Sequence, residues 1–258
     1  MSIDTLIENE LEPYLIDIDY GNYYAKSFIQ QLFTEGHFSE NNLIKNAQSI
    51  EKVSEACLTT GFCLWCQLAF STYLKQAKQP ALYRDLQQKI LSGEVLGATG
   101  LSNPMKSFND LESFNLTHVD HADTIVVNGQ LPAVSNIGSD HYFGAISQHQ
   151  NNGELVMFII RANTAGLTLE EKSNFLGVNG SATYRITFDE VNVTKDQIIT
   201  KKAEQFASAI RPQFIALQIP IALGAIKSSL DLIRQFSNAQ NGINAYLAVS
   251  YTHLTLPT

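Results

Sequence analysis

The hydrophobic period of the chain changes from helical to strand-like and back. From residue 22 to about 92 apolar positions recur at helical spacing. "NYYAKSFIQQLF" brings Tyr24, Phe28 and Phe33 near one face. "SENNLIKNAQSIEKVSEACLTTG" predicts a helix running from a Ser39 cap to Gly61. "FCLWCQLAFSTYLKQA" is apolar on most sides, which predicts a central, buried helix. Pro80 opens the next predicted helix, "ALYRDLQQKILSG", which stops at Gly93. From residue 94 the period becomes two. "TIVVNGQLPAVS" reads as strand, Asn128-Gly129 turn, strand. "HYFGAISQ" and "ELVMFIIRA" flank the turn "HQNNG". In "ATYRITFDEVNV", Tyr184, Ile186 and Phe188 alternate with Arg185, Thr187 and Asp189, so one face is buried and one wet. After "KDQIITKKAEQ" the helical period returns to about Asn244, limited or kinked by Pro212 and Pro220, with Ile221, Ala225, Leu232 and Phe236 as its apolar stripe.

The expected fold class is therefore α+β. An all-helical N-terminal domain spans 1–92, a middle β-sandwich or barrel domain spans 93–200, and the start of a C-terminal helical bundle spans 201–248. The last stretch, "SYTHLTLPT", continues neither helix nor stripe. Residues 249–258 are expected to be a non-native tail, and the chain a C-terminally truncated one.

Composition narrows the functional classes. The 258 residues carry a formal net charge of -8, which argues against nucleic-acid and anionic-membrane partners. No apolar run is read as approaching the roughly 20 residues of a membrane span, and no insertion is expected. "MSIDTLIENELEPYL" lacks the basic-then-apolar order of a signal peptide. The 3 cysteines cluster between Cys57 and Cys66, which suggests a reducing, cytoplasmic setting.

Few motifs carry chemistry on their own. Cys63-x-x-Cys66 lies in an apolar helix and reads as core packing. "THVDHAD", with His118, Asp120, His121 and Asp123, reads as a solvated loop, and no metal site is expected. His141 in "GSDHYF" has a pocket-facing role as its lesser alternative. Walker, Rossmann and nucleophile-elbow patterns are missing from the sequence. Two strand ends are more informative: "GATGLSNP", with Ser102, Asn103 and Pro104, and "NGQLPAVSN", with Ser135 and Asn136. Small polar residues there serve as ordinary turns, or hold a planar ligand through hydroxyls and backbone amides.

In this order, these stretches resemble the acyl-CoA dehydrogenase family. "LGATGLSNP" stands where the family has a strand and a Thr-Glu-Pro turn. "VVNGQLPAVSN" resembles its Asn-Gly-x-Lys-x-Trp-Ile-Thr-Asn segment. "FLGVNGSATYRITFDEVNVTKDQII" resembles its Gly-x-x-x-Ser-x-Thr strand with Phe-Glu-Asp-Val-x-Val-Pro, and "AIRPQFIALQIPIALGAIKSSLDLI" the first helix of its C-terminal bundle. The resemblance implies FAD and α,β-dehydrogenation of an acyl-CoA or related thioester, with electrons passed to an external acceptor by a homo-oligomer. It assigns Thr99, Leu101, Ser102, Ala133, Val134 and Ser135 to the flavin, and Ser107, Phe108 and Arg211 to the substrate. The family's glutamate base falls beyond the chain end, so the chain is expected to be inactive alone. Three departures stand out: Met105 to Asn109 replace a Gly-Ala-Gly-Ser-Asp run, Ala133 replaces a tryptophan, and "QNGIN" replaces Arg-x-x-Phe-Gly. A flavin monooxygenase of the desulfurisation type and a non-catalytic flavin-fold protein are the alternatives.

Overall fold

The computed structural model describes residues 1–77 and 83–237. Pro80, the "QNGIN" segment and residues 249–258 lie outside the described residues.

Helical structure begins before residue 22, where the sequence reading starts it. Helix α1 (Ile3–Leu6) passes into a wide π turn (Ile7–Leu11), a tight 3-10 turn (Glu12–Tyr14) and α2 (Leu15–Tyr20). In the π turn the Glu12 N–H reaches back to the Ile7 carbonyl, five residues earlier. Leu6, Ile7 and Leu11 are buried and Ile3 packs against them, a spacing of i, i+3, i+4 and i+8 that the helical template accommodates.

Helix α3 (Lys26–Thr34) follows, then α4 (Leu43–Ala56). The cap of α4 is Asn42, whose Oδ1 accepts from the Lys45 N–H, rather than the expected Ser39. Ser39 instead pairs its backbone with the Asn46 side chain. Nor does the helix reach Gly61. It breaks at Cys57, which is extended at φ -148 and ψ 103, and α5 (Leu58–Gln76) starts anew. Gly61 lies inside α5, where a Cβ would sit 1.9 Å from Ser54 Oγ, so its missing side chain sets the close crossing of α4 and α5. As the sequence predicts, α5 is central, buried from Cys63 through Leu74. Helix α6 (Arg84–Leu91) completes this part.

The middle region is one continuous sheet. Its strands are β1 (Gly97–Thr99), β2 (Leu116–His121), β3 (Thr124–Val134), β4 (Tyr142–His149), β5 (Leu155–Arg161), β6 (Leu167–Glu171), β7 (Tyr184–Thr194) and β8 (Ile198–Thr200), with the short helix α7 (Ser102–Ser107) between β1 and β2. Strand order is β6-β7-β3-β2-β4-β5-β8, and β1 lies parallel to β4. The sheet curls on itself. Phe143 on β4 meets Phe188 on β7 at 6.0 Å between ring centroids, although β3 and β2 intervene in the strand order. The enclosed core also holds Leu116, Val127, Val134 and Phe158.

Asn128-Gly129 is not a hairpin turn. It lies inside β3, where Gly129 takes φ 126 and the Asn128 side chain accepts from the Glu190 N–H at 2.8 Å. Between Val127 and Gly129 the partner β7 spends one extra residue, a bulge at Glu190 with φ 51. The hairpin falls earlier, between β2 and β3, with Ala122 at φ 50. "THVDH" is thus strand rather than solvated loop.

Helix α8 (Ala203–Ser237) is continuous through Pro212 and Pro220, which neither end it nor divide it. It packs on α4 and α5 through Phe206, Ile210, Leu217 and Ile221, while Leu232 and Phe236 of the expected stripe are exposed. Against the sequence reading, Ala203–Phe236 contains an 18-residue window of mean hydropathy 1.4, long and apolar enough to cross a membrane by length and composition. One side of it packs on α4 and α5.

Candidate functional site

A cleft of about 370 Å³ opens where α5, the β1–α7 connection, the end of β3 and α8 converge. That size lies within the range of about 300–1,000 Å³ typical of small-molecule and cofactor sites. A hollow of about 390 Å³ between the N-terminal helices and α8 is lined by five carboxylates, among them Asp4, Glu8 and Glu55, together with Lys52 and other residues, and has no paired aromatic and hydroxyl walls.

The two walls of the cleft differ. One is aromatic: Phe62 stacks on Trp65 at 5.5 Å, and Trp65 meets Phe214 edge-on at 4.7 Å. Trp65 Nε1 donates to the Phe214 carbonyl at 3.0 Å, which ties α5 to α8. The other wall presents Thr99, Leu101, Ser102, Ala133 and Ser135. A bulge aims the last two. Between Leu131 and Val134 strand β3 spends three steps against two on β7, leaving Pro132 and Ala133 exposed. Val134 thereby turns into the sheet core, away from the cleft, so of the six residues assigned to the flavin it alone does not line the site.

Buried polar groups hold this wall. Asn136, fully buried at φ 59, accepts from Tyr24 Oη at 2.6 Å and donates through Nδ2 to the Gly97 carbonyl at 2.8 Å. It thus joins the end of β3 to the start of β1. Asn103 braces the β1–α7 turn, donating to the Ser113 carbonyl at 2.8 Å and accepting from the Asn115 N–H at 2.9 Å. Tyr73 Oη contacts Thr99 Oγ1 at 2.5 Å, and Ser135 Oγ contacts Thr183 Oγ1 at 2.6 Å.

The residues assigned to the substrate lie outside the lining. The Ser107 hydroxyl donates to the Asn103 carbonyl, Phe108 packs edge-on against Phe114, and Arg211 is exposed one helical turn before Phe214. Lys106, 3.4 Å from Glu112, is the charged side chain that reaches the cleft among the described residues. Sequence reasoning missed Phe62, Trp65, Phe214 and Gln218. The i, i+3 spacing of Phe62 and Trp65 was visible, but in an apolar helix it does not separate a cleft wall from core.

Of the remaining candidates, Cys66 borders the floor of the cleft and the others sit elsewhere. Cys63 and Cys66 are buried free thiols, and burial pushes both well up from their ordinary range. His118 is buried on β2, shares a hydrogen bond with Ser147 Oγ at 2.9 Å, and is held below its usual pKa by burial and the neighbouring His149. His141 does line a hollow, with Tyr24, Lys26 and Asp140, apart from the cleft. Its Nδ1 pairs with the Asn136 carbonyl at 3.0 Å, and burial lowers its pKa. Among the described residues no group of three or more His, Cys, Asp or Glu is placed to hold a metal.

No family model matches the chain. It is 25% identical over 208 residues to the mitochondrial short-chain specific acyl-CoA dehydrogenase of Mus musculus, covering 77% of this chain and 50% of that one. It is 24% identical over 230 residues to a probable acyl-CoA dehydrogenase of Bacillus subtilis, covering 83% and 59%. The chain therefore spans about half to three fifths of these relatives. Among solved structures, butyryl-CoA dehydrogenase of Megasphaera elsdenii shares the fold at TM-score 0.86 and 18% identity, over 97% of this chain and 73% of that one. Acyl-CoA dehydrogenase of Geobacillus kaustophilus does so at TM-score 0.83 and 16% identity, over 96% and 72%.

Proposed function

The chain belongs to the acyl-CoA dehydrogenase family, at modest identity over most of its length, and from that premise we propose that it forms the flavin-facing half of an FAD-dependent acyl-thioester dehydrogenase. The observation that carries this reading is the meeting of Thr99, Leu101, Ser102, Ala133 and Ser135 opposite Phe62, Trp65 and Phe214. A flat, conjugated ring fits between a hydroxyl wall and an aromatic one, the first directing its polar edge and the second excluding water. The cleft takes the ring end of the cofactor rather than the whole dinucleotide.

A bound flavin supplies the hydride acceptor for α,β-dehydrogenation. The chain's own residues hold and desolvate it. Lys106 at the cleft edge and Arg211 one turn from Phe214 place positive charge where a phosphate-bearing thioester enters. The lining contains no carboxylate among the described residues, so the base that removes the α-proton comes from outside them. We read the protein as a cytoplasmic homo-oligomer that passes its electrons to an external acceptor.

Titration of the purified chain with FAD, followed by butyryl-CoA and a reducible dye, tests the proposal. Flavin binding without dye reduction is the expected result. Dye reduction by this chain alone overturns the placement of the base, and failure to bind flavin overturns the site. Oxygen-dependent turnover with reduced flavin in place of dye reduction would favour a monooxygenase.

A further inference from the structure

Of the three hydroxyl residues that line the cleft, Thr99, Ser102 and Ser135, the first and last are each backed by a buried hydroxyl whose proton has one place to go. Ser135 Oγ lies 2.6 Å from Thr183 Oγ1, which lies 2.7 Å from Ser181 Oγ. Thr183 and Ser181 are buried, and the Ser181 hydroxyl has no other partner among the described residues. A hydroxyl carries one proton, so the chain can be polarised in two directions. If Ser135 donates inward, the last proton ends on Ser181 with no acceptor. If both serines donate to Thr183, the Thr183 proton is stranded. Only the order Ser181 to Thr183 to Ser135 uses every buried proton and leaves the free one on Ser135, in the cleft. A stranded buried donor carries the full desolvation penalty of that group, so this order prevails.

The same reasoning applies to Thr99. Tyr73 is fully buried, and its hydroxyl has Thr99 Oγ1, at 2.5 Å, as its sole hydrogen-bond partner among the described residues. Tyr73 must donate, because otherwise its own proton has no acceptor. Thr99 Oγ1 also faces the Leu101 N–H, a second donor, at 3.4 Å. The Thr99 proton is thereby released toward the cleft.

We infer that Tyr73 and the Ser181–Thr183 pair are positioning residues that preset Thr99 and Ser135 as hydrogen-bond donors. The cleft then selects a planar ligand with acceptor atoms along the edge that meets β1 and β3. The donor directions follow from the protein alone. Identifying the ligand as a flavin ring rests on the function proposed above.

Hydroxyl-proton NMR of the ligand-free chain reads the directions without a cofactor. Slow exchange at Tyr73, Thr183 and Ser181, with fast exchange at Thr99 and Ser135, is expected. A Ser135 proton protected by Thr183, or a Thr99 proton protected by Tyr73, overturns the inference. Titration with lumiflavin, the bare ring, then reads the consequence through fluorescence quenching. Thr183→Val is expected to weaken binding about three- to tenfold, the range of one net hydrogen bond, and Thr183→Ser to restore it. In a Ser135→Ala background Thr183→Val should have no further effect, and equal losses in both backgrounds overturn the positioning role. Tyr73→Phe, with and without Thr99→Val, repeats the cycle at the other donor. Should lumiflavin not bind while the NMR pattern holds, the flavin reading fails and the donor wall stands.

Discussion

Helices α5 and α8 are both long and apolar, yet one is enclosed and the other is not. The 19 residues of α5 are covered by α4, α6, α8, β1 and β4. The 35 residues of α8 are covered mainly by α4 and α5, along one side. At 3.6 residues per turn, its buried Phe206, Ile210, Leu217 and Ile221 share a face, and the exposed Ile215, Ile219, Leu223, Ile226 and Ile233 fall opposite, within about 80° of one another. An apolar residue is thus buried by its neighbours and not by its own character. The cleft forms where the two helices meet, because Trp65 of the enclosed helix reaches Phe214 of the half-covered one.

Substitutions test this contrast. The largest effect is expected at Phe70, fully buried in α5, where Phe70→Ala should cost about 3–5 kcal/mol in denaturant unfolding. A loss under about 1 kcal/mol there would show that α5 is not the enclosed element described. Two glycines sharpen the comparison at the crossings of α4. A Cβ on Gly224 of α8 would lie 2.3 Å from the Glu51 carbonyl, and backbone cannot step aside, so Gly224→Ala should cost about 1–3 kcal/mol. On Gly61 of α5 the obstacle is Ser54 Oγ, which can rotate by giving up its bond to the Ile50 carbonyl. Gly61→Ala should therefore be the milder change, and the reverse ranking would refute the crossing geometry.

Enclosure also carries a pH signature. Burial lowers the pKa of His118 and His141 below the ordinary 6.5. As pH falls through 6.5 the unfolded chain takes up protons that the folded chain refuses, so stability is full above that value and is lost below it. Each histidine contributes a slope of at most about 1.4 kcal/mol per pH unit. Denaturation midpoints between neutral and acid pH should show it, and His118→Gln with His141→Gln should flatten it. An unchanged slope in that double variant would place the pH dependence elsewhere. The smallest effect belongs to the open face of α8, where Ile219→Ala should change stability by about 0.5 kcal/mol or less. A larger loss would mean that this face is covered in solution.

Much of the fold was legible because one face or one period dominates. Ile186 and Phe188 alternate cleanly with polar neighbours, and β7 lies where that pattern predicts. The run from Phe62 to Leu74 has no polar side, and it is buried throughout its central part. Legibility fails where one residue is added to a repeat. The bulge opposite Gly129 makes an Asn-Gly pair look like a turn. The bulge at Pro132 and Ala133 sends Val134 into the core, where alternation through 133–135 cannot place it.

The sequence by itself determined the order of helical and strand-like regions, the burial of α5 and the small polar residues at two strand ends, because these depend on local period and composition. Only the tertiary structure decided that Trp65, Thr99, Ser135 and Phe214 would share one cleft. It also decided which way the hydroxyls of Thr99 and Ser135 donate. Both depend on partners far apart in the chain, such as Tyr73 for Thr99 and Thr183 for Ser135, and on the cost of leaving a buried proton without an acceptor.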